Sequence, residues 1–573
     1  MRIIATLLLL AALYLLVTTK IVEAVYDPLS VPNNKFGIHI IHATPDESSP
    51  AASLANTNGD WGYVTFLIES KDRDHNKWQA FFNELRSKHL IPIVRLATKP
   101  LNDPSADGWE RPYEGEEKAW ADFLNSLNWP TKNRYVIVYN EPNHGKEWGN
   151  FVDAKMYAKV LDKVITELKS KNRDYFVLNG GFDASAPSKP PLYEDQVKFM
   201  RQMEEEVPGI FNKLDGWVSH SYPNPNFTGS PDDNGRGTIR TWYWELQILR
   251  EMGVTKNLPV FITETGWQHA EGLQTYSSFP SAEKVAQYYK SAFEIAWSSQ
   301  RIVAITPFLL DYQEGPFDHF SFKKFNGNGT QNTFYPQYHT IKNLPKVAGK
   351  PVQEHRAQLI KGEIYNTIVS GESYQINLTL KNIGQSIWND SETVKLIPLK
   401  GGNDLGIKEV EVPPDTKIEP GQEYTFQLDL HAPGKGSFNL VLNLFFGSEQ
   451  FESGSVEFTT EVKSPVILKI ISLLKWKRVH KGEYLLSVKG PTGETVQKII
   501  LSEAGQSGDL EARYLLPGYT FEFSLEKENY KVKTIQKELI SGENILDFGT
   551  LEPNILSAIL NPIELWDLLP FSN

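Results

Sequence analysis

Residues 135–178 read YVIVYNEPNHGKEWGNFVDAKMYAKVLDKVITELKSKNRDYFVL. The stretch opens on a short apolar and aromatic run, 135–139, and closes on another, 175–178. Runs of this length without polar alternation fit strands buried on both faces. Between them, Met156, Tyr157, Val160, Leu161, Val164, Ile165 and Leu168 fall on one face of a helix over 153–171. Parallel neighbours need such a helical crossover, so the local reading is strand–helix–strand.

The same unit repeats in both directions along the chain. Further strand-like runs occupy 36–40, 63–68, 91–96, 216–219, 260–263 and 302–308. Helical periodicity recurs over 76–88, 116–128, 193–207, 238–252 and 281–299. Eight strands alternating with helices predict an α/β fold, a (β/α)8 TIM barrel spanning 25–350. No glycine-rich phosphate loop follows the first strand, which argues against a dinucleotide fold, and no cofactor is expected.

After PKVAGKP (345–351) the helical period stops. Strand-like runs at 374–380, 393–397, 424–430, 438–446 and 455–460, separated by Gly, Pro and Asn, predict a β-sandwich over 351–464. Runs at 484–488, 496–501, 519–525 and 530–538 predict a second all-β sandwich over 465–573. Its tail, 554–573, is rich in Leu and Ile and reads as a short docking helix or as a surface or membrane contact.

Composition narrows the function. A chain of 573 residues is long enough for several domains. Lys and Arg number 58 against 70 Asp and Glu, a net charge of −12 without a basic block, so nucleic acid is not an expected partner. Cysteine is absent, which excludes disulfides, thiolate metal sites and cysteine nucleophiles. Eleven of the 14 Trp precede residue 350, placing ligand handling in the first part. Arg2, the apolar run 3–17 and small residues at Val22 and Ala24 predict a signal peptide over 1–24, with a retained membrane anchor as the alternative. Export without cysteine suggests a secreted or cell-surface bacterial protein.

In a (β/α)8 barrel, chemistry sits where strands end. Strand one runs into His39, strand three carries Arg95, and strand four ends in Asn140-Glu141. Strand six ends in His220 and Tyr222, and strand seven in Glu264, with Trp267 three residues on. Two carboxylates, Glu141 and Glu264, therefore point into one mouth. Paired carboxylates are what acetal hydrolysis needs: one protonates the leaving oxygen, the other attacks or stabilises an oxocarbenium-like carbon. Arg95 would hold one of them anionic, and Tyr222 would donate a hydrogen bond to it. His39 and His220 read first as hydrogen-bonded residues of the mouth, with acid–base work as the alternative. No close His, Asp and Glu cluster stands out in the sequence, so a metal is not expected. Asn-Glu-Pro alone is a turn motif; its place at a strand end makes it informative.

With these residues in view, 36–347 resembles the clan A retaining glycoside hydrolases, with affinities to family five, family thirty-nine and the Asl1-like group. Tyr-Asn-Glu-Pro-Asn (139–143) is similar to the clan's acid/base strand, and Val-Phe-Ile-Thr-Glu-Thr-Gly-Trp (260–267) to its nucleophile strand. The resemblance implies that Glu141 is the general acid/base, that Glu264 is the nucleophile, and that Asn140 binds the 2-hydroxyl of a carbohydrate held by a β-type bond. Arg95, His220 and Tyr222 match supporting positions. Many clan members place a Trp after strand eight. Here Thr306-Pro-Phe-Leu-Leu-Asp-Tyr312 has none, so Phe308, Tyr312 or Trp267 would have to form the sugar platform. Trp109 and Trp148 are candidates for more distant subsites. Residues 380–388, 418–422 and 431–438 resemble Ig-like domains of the Nbr1 four-tryptophan type, of whose tryptophans Trp388 alone remains. Residues 514–519 are faintly similar to carboxypeptidase-regulatory-like sandwiches. The two sandwiches read as spacers or as glycan or cell-surface contacts. The functional expectation is an exported retaining glycosidase acting on an oligo- or polysaccharide. A non-catalytic glycan-binding surface protein on the same barrel is the alternative.

Overall fold

A computed structural model describes residues 25–101, 108–324, 333–363, 365–490 and 493–554. The expected signal segment and the apolar tail beyond Asn554 lie outside the described residues. The chain divides into two compact units. The first runs to Glu354 and includes Gln385–Ile387; the second holds His355–Gly384 and everything from Trp388 onward.

Among the described residues of the first unit, eight parallel strands alternate with eight helices. The strands are β1 (Gly37–His39), β2 (Gly62–Glu69), β3 (Leu90–Ala97), β4 (Arg134–Val138), β5 (Tyr175–Asn179), β6 (Trp217–His220), β7 (Val260–Glu264) and β8 (Ile302–Ile305). Each is followed by a helix: α1 (Pro45–Asn56), α2 (His75–Ser87), α3 (Glu116–Ser126), α4 (Ala154–Lys171), α5 (Gln196–Glu206), α6 (Thr241–Glu251), α7 (Ala282–Ser291) and α8 (Pro336–Asn343). Strands β1 to β5 pair in chain order, as do β6 to β8. Isolated parallel bridges Leu178↔Gly216 and Phe36↔Ile305 join the two groups, so parallel pairing passes round all eight strands and returns to the first.

Alternation along each strand feeds two cores. Tyr135 and Ile137 of β4 meet Tyr63, Ile93, Phe176 and Phe261 in an inner cluster. Val136 and Val138 turn the other way, into the larger cluster with Tyr157, Leu161 and Leu168 of α4. This is why the strands read as unbroken apolar runs: both faces are covered. The helices start where capping residues allow. Asp74 accepts hydrogen bonds from the backbone N–H of Asn76 and Lys77, and Asp153 and Ser281 do the same for Met156 and Lys284.

Helices α1 and α8 were not expected from the sequence. Both start on proline, the residue suited to a first helical turn. The first, PDESSPAASLAN, is rich in Ser and carries an internal Pro50, so its periodicity is weak. Packing of Ala51, Leu54 and Ala55 against the larger core holds it instead.

The second unit is built of mostly antiparallel sheets around two separate apolar clusters. In the first, Ser373–Asn382 pairs with Glu423–His431 in a register that sets Ser373 opposite His431. Ile376, Leu378 and Leu380 face the core and alternate with polar residues facing out, the period-two pattern seen in the sequence. Trp388 is buried there beside Phe451. In the second cluster Val466–Leu474 pairs in parallel with Gly542–Leu551, a long-range pair that local pattern reading did not separate from its surroundings. Among the described residues, no helix is long and apolar enough to cross a membrane.

Candidate active site

The ends of β3, β4, β6 and β7 bring Arg95, Asn140, Glu141, His220, Tyr222 and Glu264 together. Arg95 Nη1 donates to Glu264 Oε1 at 2.7 Å and to Asn140 Oδ1 at 2.8 Å. The Tyr222 hydroxyl donates to Glu264 Oε2 at 3.1 Å. His220 Nδ1 stands between the two carboxyls, 2.8 Å from Glu141 Oε1 and 3.7 Å from Glu264 Oε2. One oxygen of each glutamate and a ring nitrogen of His220 all lie within 4.8 Å of one another.

The chain is bent hard to present Glu141. Tyr139 and Glu141 both have positive φ, 65° and 29°, which residues with side chains rarely adopt. The bend is held from beneath. Asn143 donates to the carbonyls of Asp183 and Glu194, and the buried Tyr139 ring packs edge-on against Trp148.

Burial alone would raise the pKa of Glu264; the charges of His220 and Arg95 and the hydrogen bond from Tyr222 outweigh it and hold the carboxyl below the usual range. Burial likewise opposes charge on His220, but Glu264 and Glu141 together raise its pKa. Burial pushes Tyr222 well above its ordinary value, and the two carboxylates add to the shift, so its hydroxyl stays a donor.

Three further groups at this site were not found from the sequence. His144 Nε2 lies 2.8 Å from Asp183 Oδ2, while its Nδ1 is 3.8 Å from Glu141 Oε2. Burial disfavours the imidazolium, but Asp183 and Glu141 more than offset this and raise His144 to about 9. Glu147, partly buried, is a third carboxyl. Burial, with added repulsion from Glu141 and Glu264, raises it to about 7 against the opposing pull of Arg95 and a hydrogen bond to Asn140. The signal for Asp183 was the end of β5, Asn179-Gly-Gly-Phe-Asp183, which the strand-end reading passed over. Glu147 lies in a 3-10 turn six residues beyond Glu141, where spacing carries no signal.

Three expected roles are corrected. Trp267 is 1% exposed. Its indole packs against Tyr288, Tyr289 and Trp297 and donates to the Gly229 carbonyl, so it has no free face for a sugar. Trp148 is fully buried between Tyr139 and Tyr157 and is likewise part of the scaffold. His39 is also fully buried, edge-on to Phe308 at 5.3 Å, and burial lowers it to about 4. Buried and neutral, it is not at a surface a sugar would reach. Phe308, only partly buried, lies at the end of β8 between His39, Phe317 and Phe320. Trp109 is half-buried, and Phe151 on the loop after β4 is 51% exposed.

Glu141, His220 and Glu264 could offer a cation three ligand atoms, which the sequence reading did not anticipate. The Arg95 guanidinium already places a positive charge against Glu264. A dication there would meet that charge at close range.

No protein-family model matches the chain, and no curated protein matches it. Among solved structures it is similar to a family 39 glycoside hydrolase from Bacteroides cellulosilyticus WH2, at 12% identity over 71% of this chain and 82% of that one, with a TM-score of 0.37. A family 51 α-L-arabinofuranosidase from Bifidobacterium longum matches at 12% identity over 86% and 97%, TM-score 0.36. A GH128 endo-β-1,3-glucanase from Amycolatopsis mediterranei matches at 10% over 54% and 98%, TM-score 0.32. At such identities and scores the likeness carries no weight for function, which rests on the site itself.

Proposed function

We propose that the chain is an exported retaining glycoside hydrolase. Its catalytic part would be a (β/α)8 barrel over 25–350, followed by β-sandwiches over 351–464 and 465–573. The observation that carries this reading is the close approach of two carboxyls, Glu141 and Glu264, with oxygens within 4.8 Å. Retaining enzymes hold their carboxyl groups about 5–5.5 Å apart, whereas inverting ones leave about 6.5–9.5 Å for a water.

Glu264, kept anionic by its cationic neighbours, attacks the anomeric carbon. A carbon–oxygen ester bond forms as the glycosidic bond breaks, and Glu141 gives its proton to the leaving oxygen. Water then attacks the same carbon, passes a proton to Glu141 and releases Glu264. Arg95 fixes both Glu264 and the Asn140 Oδ1 atom; of the two Asn140 amide hydrogens, one is engaged by Glu147 and the other would meet the sugar 2-hydroxyl. The β-type bond and the polysaccharide substrate follow from the clan resemblance.

The test is leaving-group dependence, using purified protein, aryl glycosides and plant or microbial polysaccharides. Glu264→Gln should abolish turnover of every substrate. Glu141→Gln should spare activated phenol leaving groups far more than natural glycans, since those need little protonation. Activity should survive chelation, as Arg95 and His220 already supply the positive charge. Equal response of both variants to leaving-group pKa would overturn the role assignment. Glycan binding without turnover by the parent would make the protein a non-catalytic binder.

A further inference from the structure

The second unit carries a surface feature with no part in the site above. Between the strands Val466–Leu474 and Gly482–Gly490 runs the loop Lys475-Trp-Lys-Arg-Val-His-Lys481. It holds four cations and no acid in seven residues, in a chain whose net charge is −12. Trp476 is 45% exposed and Val479 53% exposed. The turn that displays them is fixed. Trp476 has φ +70°, the left-handed region that bulky residues rarely enter. Lys475 N–H donates to the Leu551 carbonyl at 3.1 Å, Lys477 N–H to the Leu474 carbonyl at 3.3 Å, and the Tyr484 hydroxyl to the His480 carbonyl at 2.8 Å.

A neighbouring loop adds to the feature. The Tyr530 hydroxyl donates to the Lys475 carbonyl at 3.3 Å, so 527–533 lies alongside. That segment brings Lys527, Lys531 and Lys533 against a single acid, Glu528, and an exposed Val532, 56% accessible. Glu552 binds Lys475 at 2.7 Å, Glu503 lies where His480 N–H meets its carbonyl, and Glu483 is taken by Lys498. The described chain leaves this same end at Asn554, whose N–H donates to the Asn529 carbonyl.

We propose that this end of the second unit is a docking surface for an anionic phospholipid bilayer. Protruding Trp and Val side chains ringed by Lys and Arg are suited to the headgroup region. There an indole finds both an apolar and a wet neighbour, while the cations meet lipid phosphates. A soluble polyanion would use the cations but leave Trp476, Val479 and Val532 in water. The inference stands apart from the glycosidase reading, and neither depends on the other.

Co-sedimentation of the chain from residue 25 with vesicles tests it. Vesicles containing phosphatidylglycerol should pull the protein down at low salt. Pure phosphatidylcholine vesicles should not, and high salt should release it. Arg478→Gln with Lys481→Gln should weaken partitioning by about 25-fold, at about fivefold per cation. Trp476→Ser with Val479→Ser should weaken it while leaving the salt dependence in place. Both double variants lie on an exposed loop and retain the apolar tail, so the tail's share cancels. Failure of the parent to sediment, equal binding to neutral vesicles, or variants that bind like the parent would each overturn the proposal. So would capture by dextran sulfate undiminished in the Trp476/Val479 variant with no vesicle binding.

Discussion

Glu147 shows how one carboxyl reports on the charge density of the site. Its ordinary value is 4.5 and its folded value about 7. Between those limits the folded chain keeps a proton that the unfolded chain has released, so stability falls as pH rises through that window. Glu147→Gln cannot titrate. Urea unfolding at pH 5 and at pH 7.5 should therefore show the parent losing stability over the interval and the variant losing less. Equal losses would mean that Glu147 is not held protonated beside Asn140. Above about 7 the parent gains a further negative charge beside Glu264. At this scale the sequence was informative where topology supplied the address. Arg95, Glu141, His220, Tyr222 and Glu264 sit at strand ends, and counting strands was enough to bring them to one mouth. It was uninformative for Glu147, whose position depends on the path of a loop.

The turn after β7 shows how an element redirects a side chain. Gly266 has φ +142°, and a Cβ there would lie 2.4 Å from the Tyr289 hydroxyl. The chain passes tight against α7 and delivers Trp267 into the helix layer, not into the cleft. Proximity to Glu264 in sequence suggested a sugar platform; the tight turn, invisible in composition, reverses that. Trp267→Ala should then cost about 3–5 kcal/mol, the range for deleting a buried Trp. Chemical denaturation of the variant measures it. A variant of parental stability that loses only oligosaccharide turnover would restore Trp267 to the cleft. Strands were legible because both faces of the first sheet are apolar and one face of the later sheets alternates. Helix α1 was not, because tertiary packing of Ala51, Leu54 and Ala55 overrides a Ser- and Pro-rich segment.

Across the whole molecule, a closed circuit of parallel strands gathers residues from positions 95 to 264 onto one rim. That gathering sets two glutamates, 123 positions apart, into one field where Arg95 and His220 keep Glu264 charged. In the proposed double displacement this charge becomes a covalent bond to sugar. The most direct measurement is to inactivate the protein with a 2-deoxy-2-fluoro glycoside bearing an activated leaving group, then map the peptides by mass spectrometry. Proposed double displacement requires one added glycosyl mass, on the peptide containing Glu264, and none in Glu264→Gln. Turnover of a glycan with inverted anomeric configuration and no adduct, or an adduct on Glu141, would contradict it.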